Sequence, residues 1–563
     1  MTASNPTPTA PAWIESPPPK GSFRSIFKWG DPRIFKHPSQ GFFEIIKERL
    51  HLHTNHFNTP EQTGYAMVPD NIKPGLSREL IHQFSSISGA ENIAVDTYSR
   101  LNYSSGKSME DIFHLREGHV NEICDLVIHP RDKNEVTQIL HLCHEKKIPI
   151  HVHGGGSSVT SGLQCPNGGI TLVMGTHMNR MISFNETDQT ITVEPGMAGP
   201  VYEGLLNNAP EKLGAQKRYT GGHFPQSFEY SSVGGWVVTL GSGQASSYYG
   251  DAADLVISQE YVTPKGTFKT HAYPSTATGP RVDDIMIGSE GCFGILVGVT
   301  FKVFEYSPNT TRTFAFMLPD FESAARAARQ ISQGRFGMPS ILRISDPEET
   351  EVALKMYRLD RGLLARILNF KGMQAGNMCL CMGQTEGASA FSKQVCAQVK
   401  RICKHNGGMN LTGIPMKKWF HSRFMDPYMR DALNDYGILI DTLETAVTWD
   451  RFLDVYHNTR DFIKQHEHVI CMTHASHFYA QGTNLYFIII MPMTNIHEFK
   501  RFQTGIIQRI EQNGGSLSHH HGVGRLFAPF MEQHIGQVQM AVLQALKTHF
   551  DPNGILNPGA LGL

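Results

Sequence analysis

The chain has 563 residues, of which 40% are apolar and 18% charged, with a formal net charge of −1. That length exceeds a single hydrophobic core and implies two or more domains, and the even charge balance excludes a polyelectrolyte surface, so no nucleic-acid partner is expected. Nine cysteines without a CxxC pair read as reduced thiols in a cytosolic-type compartment.

In chain order, residues 1–20 hold six prolines and lack a basic start followed by an apolar stretch; they read as a disordered lead, not a secretory signal. Residues 21–115 are irregular and rich in His and aromatics, with a helical patch at "SRELIHQF" (Ser77 to Phe84). Regular structure begins in 116–305. There "DLVIHP" predicts a strand, "RDKNEVTQILHLCHEKK" a helix with Val136, Ile139, Leu140 and Cys143 on one face, and "IPIHVH" a second strand. This βαβ unit runs into Gly154-Gly155-Gly156-Ser157-Ser158.

In 306–545 strands such as "TRTFAFML" and "NLYFIIIM" alternate with helices at "FESAARAARQIS" and "IHEFKRFQTGIIQRIEQ", an α+β pattern that predicts a separate substrate domain. The turn-rich tail, 546–563, is expected to return to the first domain. The strongest apolar run, "NLYFIIIMPM", has the length of a core strand and not of a membrane span. With no SKL-type ending, a cytoplasmic protein is expected, its membrane contact peripheral at most.

"SLSHHHGVG" places His519, His520 and His521 together before a glycine. An extended segment alternates its side chains, so His519 and His521 are predicted to share a cavity face with His520 opposite. "HLHTNHF" (His51 to Phe57) and "HVH" (His151 to His153) have ligand-like spacing but no carboxylate or cysteine partners, and read as structural. No metal is expected.

Glycine admits a backbone to within reach of a pyrophosphate, because no Cβ intervenes. "HGGGSSV" follows a strand and is joined in order by "VEPGM", "PQSFEYSSVGGW", "SGQASSYYGDAADLV", "VTPKG" and "IGSEGCFGIL". In this ordered series the chain resembles the FAD-binding (PCMH-type) domain of the vanillyl-alcohol-oxidase-type flavoproteins. The resemblance implies that Gly154, Gly155, Gly156, Ser157, Ser158, Gln226, Ser227, Ser231, Ser232, Gly234, Gly235, Glu290, Gly291, Gly294 and Ile295 wrap FAD. Some members of that superfamily carry a flavin-linking histidine in the first glycine loop; Ser157 stands there, which implies non-covalent FAD.

The C-terminal half separates the branches. FAD-dependent 2-hydroxyacid dehydrogenases resemble the chain in "DPNGILNPG" but carry GEHGVG in place of HHHGVG, and a metal-binding histidine where "QGTNLYF" has Tyr486. "SLSHHHGVG", "FKWGDP", "IFHLREG", "FEYSSVGGW", "PSILRISD" and "YMRDALNDYG" instead resemble the alkyldihydroxyacetonephosphate synthases. Two departures, Leu240 in "TLGSG" and Gly175 in "GTHMNR", fall in the flavin half.

This second resemblance implies a transferase that exchanges the acyl group of acyl-dihydroxyacetone phosphate for a long-chain fatty alcohol, with FAD as a covalent handle. It implies proton transfer by Tyr486, a polar wall of His519, His520 and His521, and anion contacts from Arg343 and Arg430, whose forks suit carboxylate or phosphate. It leaves a homodimer open. The competing expectation is an FAD-linked oxidoreductase acting on a 2-hydroxyacid or alcohol; a non-enzymatic flavin binder is disfavoured because every candidate position is filled.

Overall fold

Asp132 accepts hydrogen bonds from the backbone N–H groups of Asn134 and Glu135 and so starts the Lys133–Lys146 helix, which buries Val136, Ile139, Leu140 and Cys143 as its 3.6-residue period predicts. The structure, a computed structural model, describes residues 11–356, 360 and 363–563. Strands Leu126–Ile128 and Ile150–His153 flank this helix in sequence. Both pair in parallel with Ile170–Val173, which sits between them, so the crossover skips one place in a four-stranded sheet. A five-stranded antiparallel sheet completes this half, with Ile295–Lys302 at its centre.

The second half is built on a seven-stranded antiparallel sheet. Its faces separate by the period of two expected of strands. Leu342, Ile344, Cys381, Leu443, Cys471, Phe487 and Ile489 pack with Ala324, Ala328, Val395 and Val399 of the covering helices into one core. Ile341, Arg343, Ser345, Met382, Ile440, Thr442, Met472, His474, Tyr486, Ile488 and Ile490 face the other way, into a cavity. "NLYFIIIMPM" is indeed a strand, Gly482–Pro492, and all nine cysteines are buried as free thiols.

The N-terminal region is tied to the second half by charge. Arg24 donates to both carboxylate oxygens of Asp435, at 2.7 and 2.8 Å, and Arg116 donates to the same group at 2.8 Å, all three side chains being buried. One carboxylate cannot by itself balance two buried guanidinium groups, and the nearby Asp431 supplies the second negative charge. Residues 1–10 of the expected disordered lead lie outside the described residues. Residues 11–20 lie against the body, because Trp13 packs edge-on against Phe43 and Tyr436, with centroids 6.0 and 5.6 Å away. The tail pairs with the first half: Ile150 N–H donates to Ile555 O, and Asn557 N–H to Ile150 O.

Candidate active site

A cavity of about 880 Å³ lies between the glycine-rich loops and the open face of the seven-stranded sheet. Gly154 to Ser158, Gln226, Ser227, Ser231, Ser232, Gly234, Gly235, Glu290, Gly291 and Gly294 all line it. Ile295 does not: it starts the strand that follows and is buried in the core of the parallel sheet. Several of these glycines are sterically required. A Cβ on Gly155 would lie 2.0 Å from Tyr230 O, and one on Gly234 2.5 Å from Pro195 Cβ. This cradle of backbone and small hydroxyls fits the dinucleotide of FAD. Leu240 and Gly175 do not line the cavity, whereas Thr239, Gly241 and Ser242 do.

Tyr486 projects from the sheet floor opposite the cradle. Its cross-strand partners are His474 on one side and Glu444 on the other. Its ring stacks on His474 with centroids 4.9 Å apart, lies near-parallel to His520 at 6.0 Å, and meets His521 edge-on at 5.5 Å. Burial pushes its hydroxyl up to about 12, so Tyr486 holds its proton through the neutral range.

The histidine loop differs from the sequence expectation. His520 and His521 line the cavity, and His519 turns away to place Nε2 2.8 Å from the hydroxyl of Tyr479. The alternation of an extended strand fails because the backbone curls around one carboxylate. Glu444 accepts the N–H groups of His519, His520 and His521 at 2.7, 3.1 and 3.0 Å, and the Ser518 hydroxyl at 2.6 Å. Burial opposes ionisation of Glu444, but the neighbouring His520, His521 and His519 and the Ser518 hydroxyl hold its carboxyl far below the usual range. Burial lowers His520 and His521, so both rings are neutral at pH 7. Glu290 clamps the other end of the loop: its carboxylate accepts from Val523 and Gly524 N–H, at 2.6 and 2.8 Å, and burial raises it to about 7.

The two arginines differ in their pairing. Arg343 donates to Glu349 at 2.6 Å and lies 2.9 Å from His474 Nδ1. Arg430 donates one N–H to Lys107 O, while its Nε and Nη2 are buried without a protein partner. A guanidinium with unpaired N–H groups in a cavity wall is suited to an anionic ligand.

Sequence reasoning missed several lining residues. Lys107 is buried and pushed down to about 8, and Asp441, beside Gln503, is pushed up to about 6; burial is the cause in both. His474 and His477 also line the cavity. Asp441 and Glu444 carried a signal in "ILIDTLETAV", two carboxylates in an otherwise apolar strand; Lys107 carried none. His477, His519 and His520 bring ring nitrogens within 4.8 Å of one another, a set that could hold a metal ion where the sequence implied none. In "HVH", His151 Nδ1 lies on Asn557 Oδ1 and His153 Nδ1 on Gly154 O.

Residues 124–271 match the FAD binding domain family and residues 307–561 the C-terminal domain family of FAD-linked oxidases. The chain is 29% identical over 505 residues to the alkyldihydroxyacetonephosphate synthase of Dictyostelium discoideum, covering 86% of this chain and 80% of that one. It is 28% identical to that of Caenorhabditis elegans, covering 81% and 79%. A solved alkyldihydroxyacetonephosphate synthase structure superposes with a TM-score of 0.80 at 25% identity, over 95% of this chain and 99% of that one. The fold is therefore a PCMH-type FAD-binding half joined to an α+β second domain, and FAD is the cofactor.

Proposed function

We propose that this chain, an FAD flavoprotein homologous over most of its length to alkyldihydroxyacetonephosphate synthases, exchanges the acyl group of acyl-dihydroxyacetone phosphate for a fatty alcohol, forming the ether bond of ether lipids. One observation carries the reading: a single cavity joins the glycine cradle, the cluster of Tyr486, His520 and His521, and an apolar lobe walled by Met317, Leu354, Met356, Leu380 and Met409. FAD, when bound, supplies a nucleophilic handle on which the exchange occurs. Tyr486 moves the proton next to the ketone, His520 and His521 take protons as neutral bases, and Arg430 with Lys107 holds the phosphate or the departing carboxylate. Met-rich apolar walls exclude water and accept the two chains.

The test is incubation of FAD-loaded protein with acyl-dihydroxyacetone phosphate and labelled hexadecanol. Alkyl-dihydroxyacetone phosphate is the expected product. Turnover of lactate with a dye acceptor, and no alkyl product, would put the oxidoreductase reading in its place.

Two finer readings accompany it. Ser157 offers no imidazole for attachment in the first glycine loop, so FAD is held non-covalently. Acid or heat denaturation is expected to release yellow, unmodified FAD into the supernatant; flavin left on the precipitate would contradict this.

The second concerns delivery of the chains. Among the described residues no helix is long and apolar enough to cross a membrane. Ile367, Phe370, Ile414 and Phe420 are nevertheless 41%, 88%, 60% and 37% exposed, and Ile367 and Ile414 also line the cavity. Such an apolar rim at the mouth of the lobe, next to Lys371 and Lys417 in the chain, supports peripheral docking on a lipid surface. Co-sedimentation with vesicles containing anionic lipid is expected, and its loss in Phe370→Asp/Ile414→Asp with FAD content unchanged; equal sedimentation of the variant would reject the site.

A further inference from the structure

We propose that Tyr479 and Asp251 form, with His519 and His520, the route by which the proton of each turnover leaves the cavity. This rests on the ether-forming reading. A neutral alcohol enters; its O–H bond breaks, the ether C–O bond forms, the ester C–O bond breaks, and the acid leaves as a carboxylate, because its pKa lies well below neutral. One proton per turnover is thereby left in a cavity with apolar walls.

The hydrogen bonds define the path. Asp251 Oδ2 accepts from the Tyr479 hydroxyl at 2.6 Å, Tyr479 Oη lies 2.8 Å from His519 Nε2, and His519 Nδ1 lies 3.1 Å from His520 Nδ1. An ionised carboxylate only accepts, so the Tyr479 hydrogen belongs to the bond with Asp251. His519 Nε2 must then donate to Tyr479, which leaves His519 Nδ1 as an acceptor and obliges His520 Nδ1 to donate to it. The order of protons is settled along the chain, and its result is specific: Nε2 of the cavity-lining His520 carries no hydrogen and is a base. Burial opposes ionisation of Asp251, but hydrogen bonds from Ser242 and Tyr479 hold its carboxyl below the ordinary range.

A proton taken from the alcohol at His520 Nε2 is matched by release from Nδ1 to His519 Nδ1, from His519 Nε2 to Tyr479, and from Tyr479 to Asp251. Asp251 then releases the proton to solvent, and proton exchange of the two imidazoles with water restores the starting tautomers. Asp251 is partly exposed and does not line the cavity, and Ala480 beside Tyr479 is exposed, so the path ends toward solvent. The other titratable groups facing it are Glu444, 3.5 Å from His520 Nδ1; His521 and Tyr486 against His520; His477, whose ring lies 5.0 Å from both His519 and His520; Asp254 beside Asp251; and the buried His223, on which the Asp251 charge acts. Glu444 favours a hydrogen on His520 Nδ1, in agreement with the assigned tautomer.

Tyr479 and Asp251 touch no reacting atom, so they act through His520 and are positioning and relay residues. The test uses FAD-loaded Tyr479→Phe and Asp251→Asn, each checked for flavin content. Both are expected to keep KM for both substrates and to lose kcat by at least about tenfold, less than the loss of a group that itself exchanges a proton with substrate. The solvent deuterium isotope effect on kcat is expected to rise, and added imidazole to restore the rate of Tyr479→Phe with no effect on the unmodified enzyme. A merely structural Tyr–Asp contact would show neither response. Unchanged kcat in both variants, or loss of rate in both without isotope or imidazole response, would overturn the relay while leaving the reaction standing. Absence of alkyl product from the unmodified enzyme would overturn the reaction, and the relay with it.

Discussion

Replacing Tyr486 by Phe is expected to lower kcat by about a hundredfold or more, while the variant folds and retains FAD. The change removes one oxygen and leaves the ring stacked on His474 at 4.9 Å and close to His520 and His521, so the packing of the row persists. What is lost is the only phenol in a row whose other members are neutral imidazoles under burial. Because the hydroxyl is raised to about 12, the unmodified enzyme should show no loss of activity from Tyr486 ionisation across the neutral and mildly alkaline range. Steady-state kinetics and flavin absorbance make the check; near-normal turnover in Tyr486→Phe would return this residue to a packing role.

His520→Ala and His521→Ala are expected to be the next most damaging changes, each costing on the order of a hundredfold in turnover with FAD content intact. The loop is held by its own backbone on Glu444 and Glu290, so deleting an imidazole does not release it. His519→Ala is expected to cost less, in line with its position one bond back from the cavity. A phosphate-bearing substrate should protect the loop from diethylpyrocarbonate. The nitrogens of His477, His519 and His520 are close enough for a metal, but both nitrogens of His519 already have hydrogen-bond partners. Activity is therefore expected to be insensitive to chelators. Loss of activity on chelation with recovery on adding zinc, or full activity in all three alanine variants, would refute this account of the loop.

Local pattern was enough for much of the molecule. The Lys133–Lys146 helix, the strands Arg312–Leu318 and Gly482–Pro492, and the glycine cradle were legible because capping, periodicity and the absence of a Cβ act over a few residues. Motif resemblance supplied FAD in the same way, and it singled out Tyr486 and Arg430, which line the cavity. The orientation of the histidine run was not available to such reasoning. His519 and His521 are two residues apart and should share a face in an extended chain, but a carboxylate on a strand some 75 residues earlier gathers three consecutive N–H groups and curls the backbone, and this puts His520 and His521 on the cavity together. Ile295 was misplaced for a related reason: the glycine motif ends where a strand begins, and pleating turns that side chain into the core. Lys107 had no sequence signature at all, and Asp251 stood only inside a motif that the resemblance gave to the flavin half. Their roles depend on which distant groups a buried charge meets, and only the packing of the two halves around one cavity decides that.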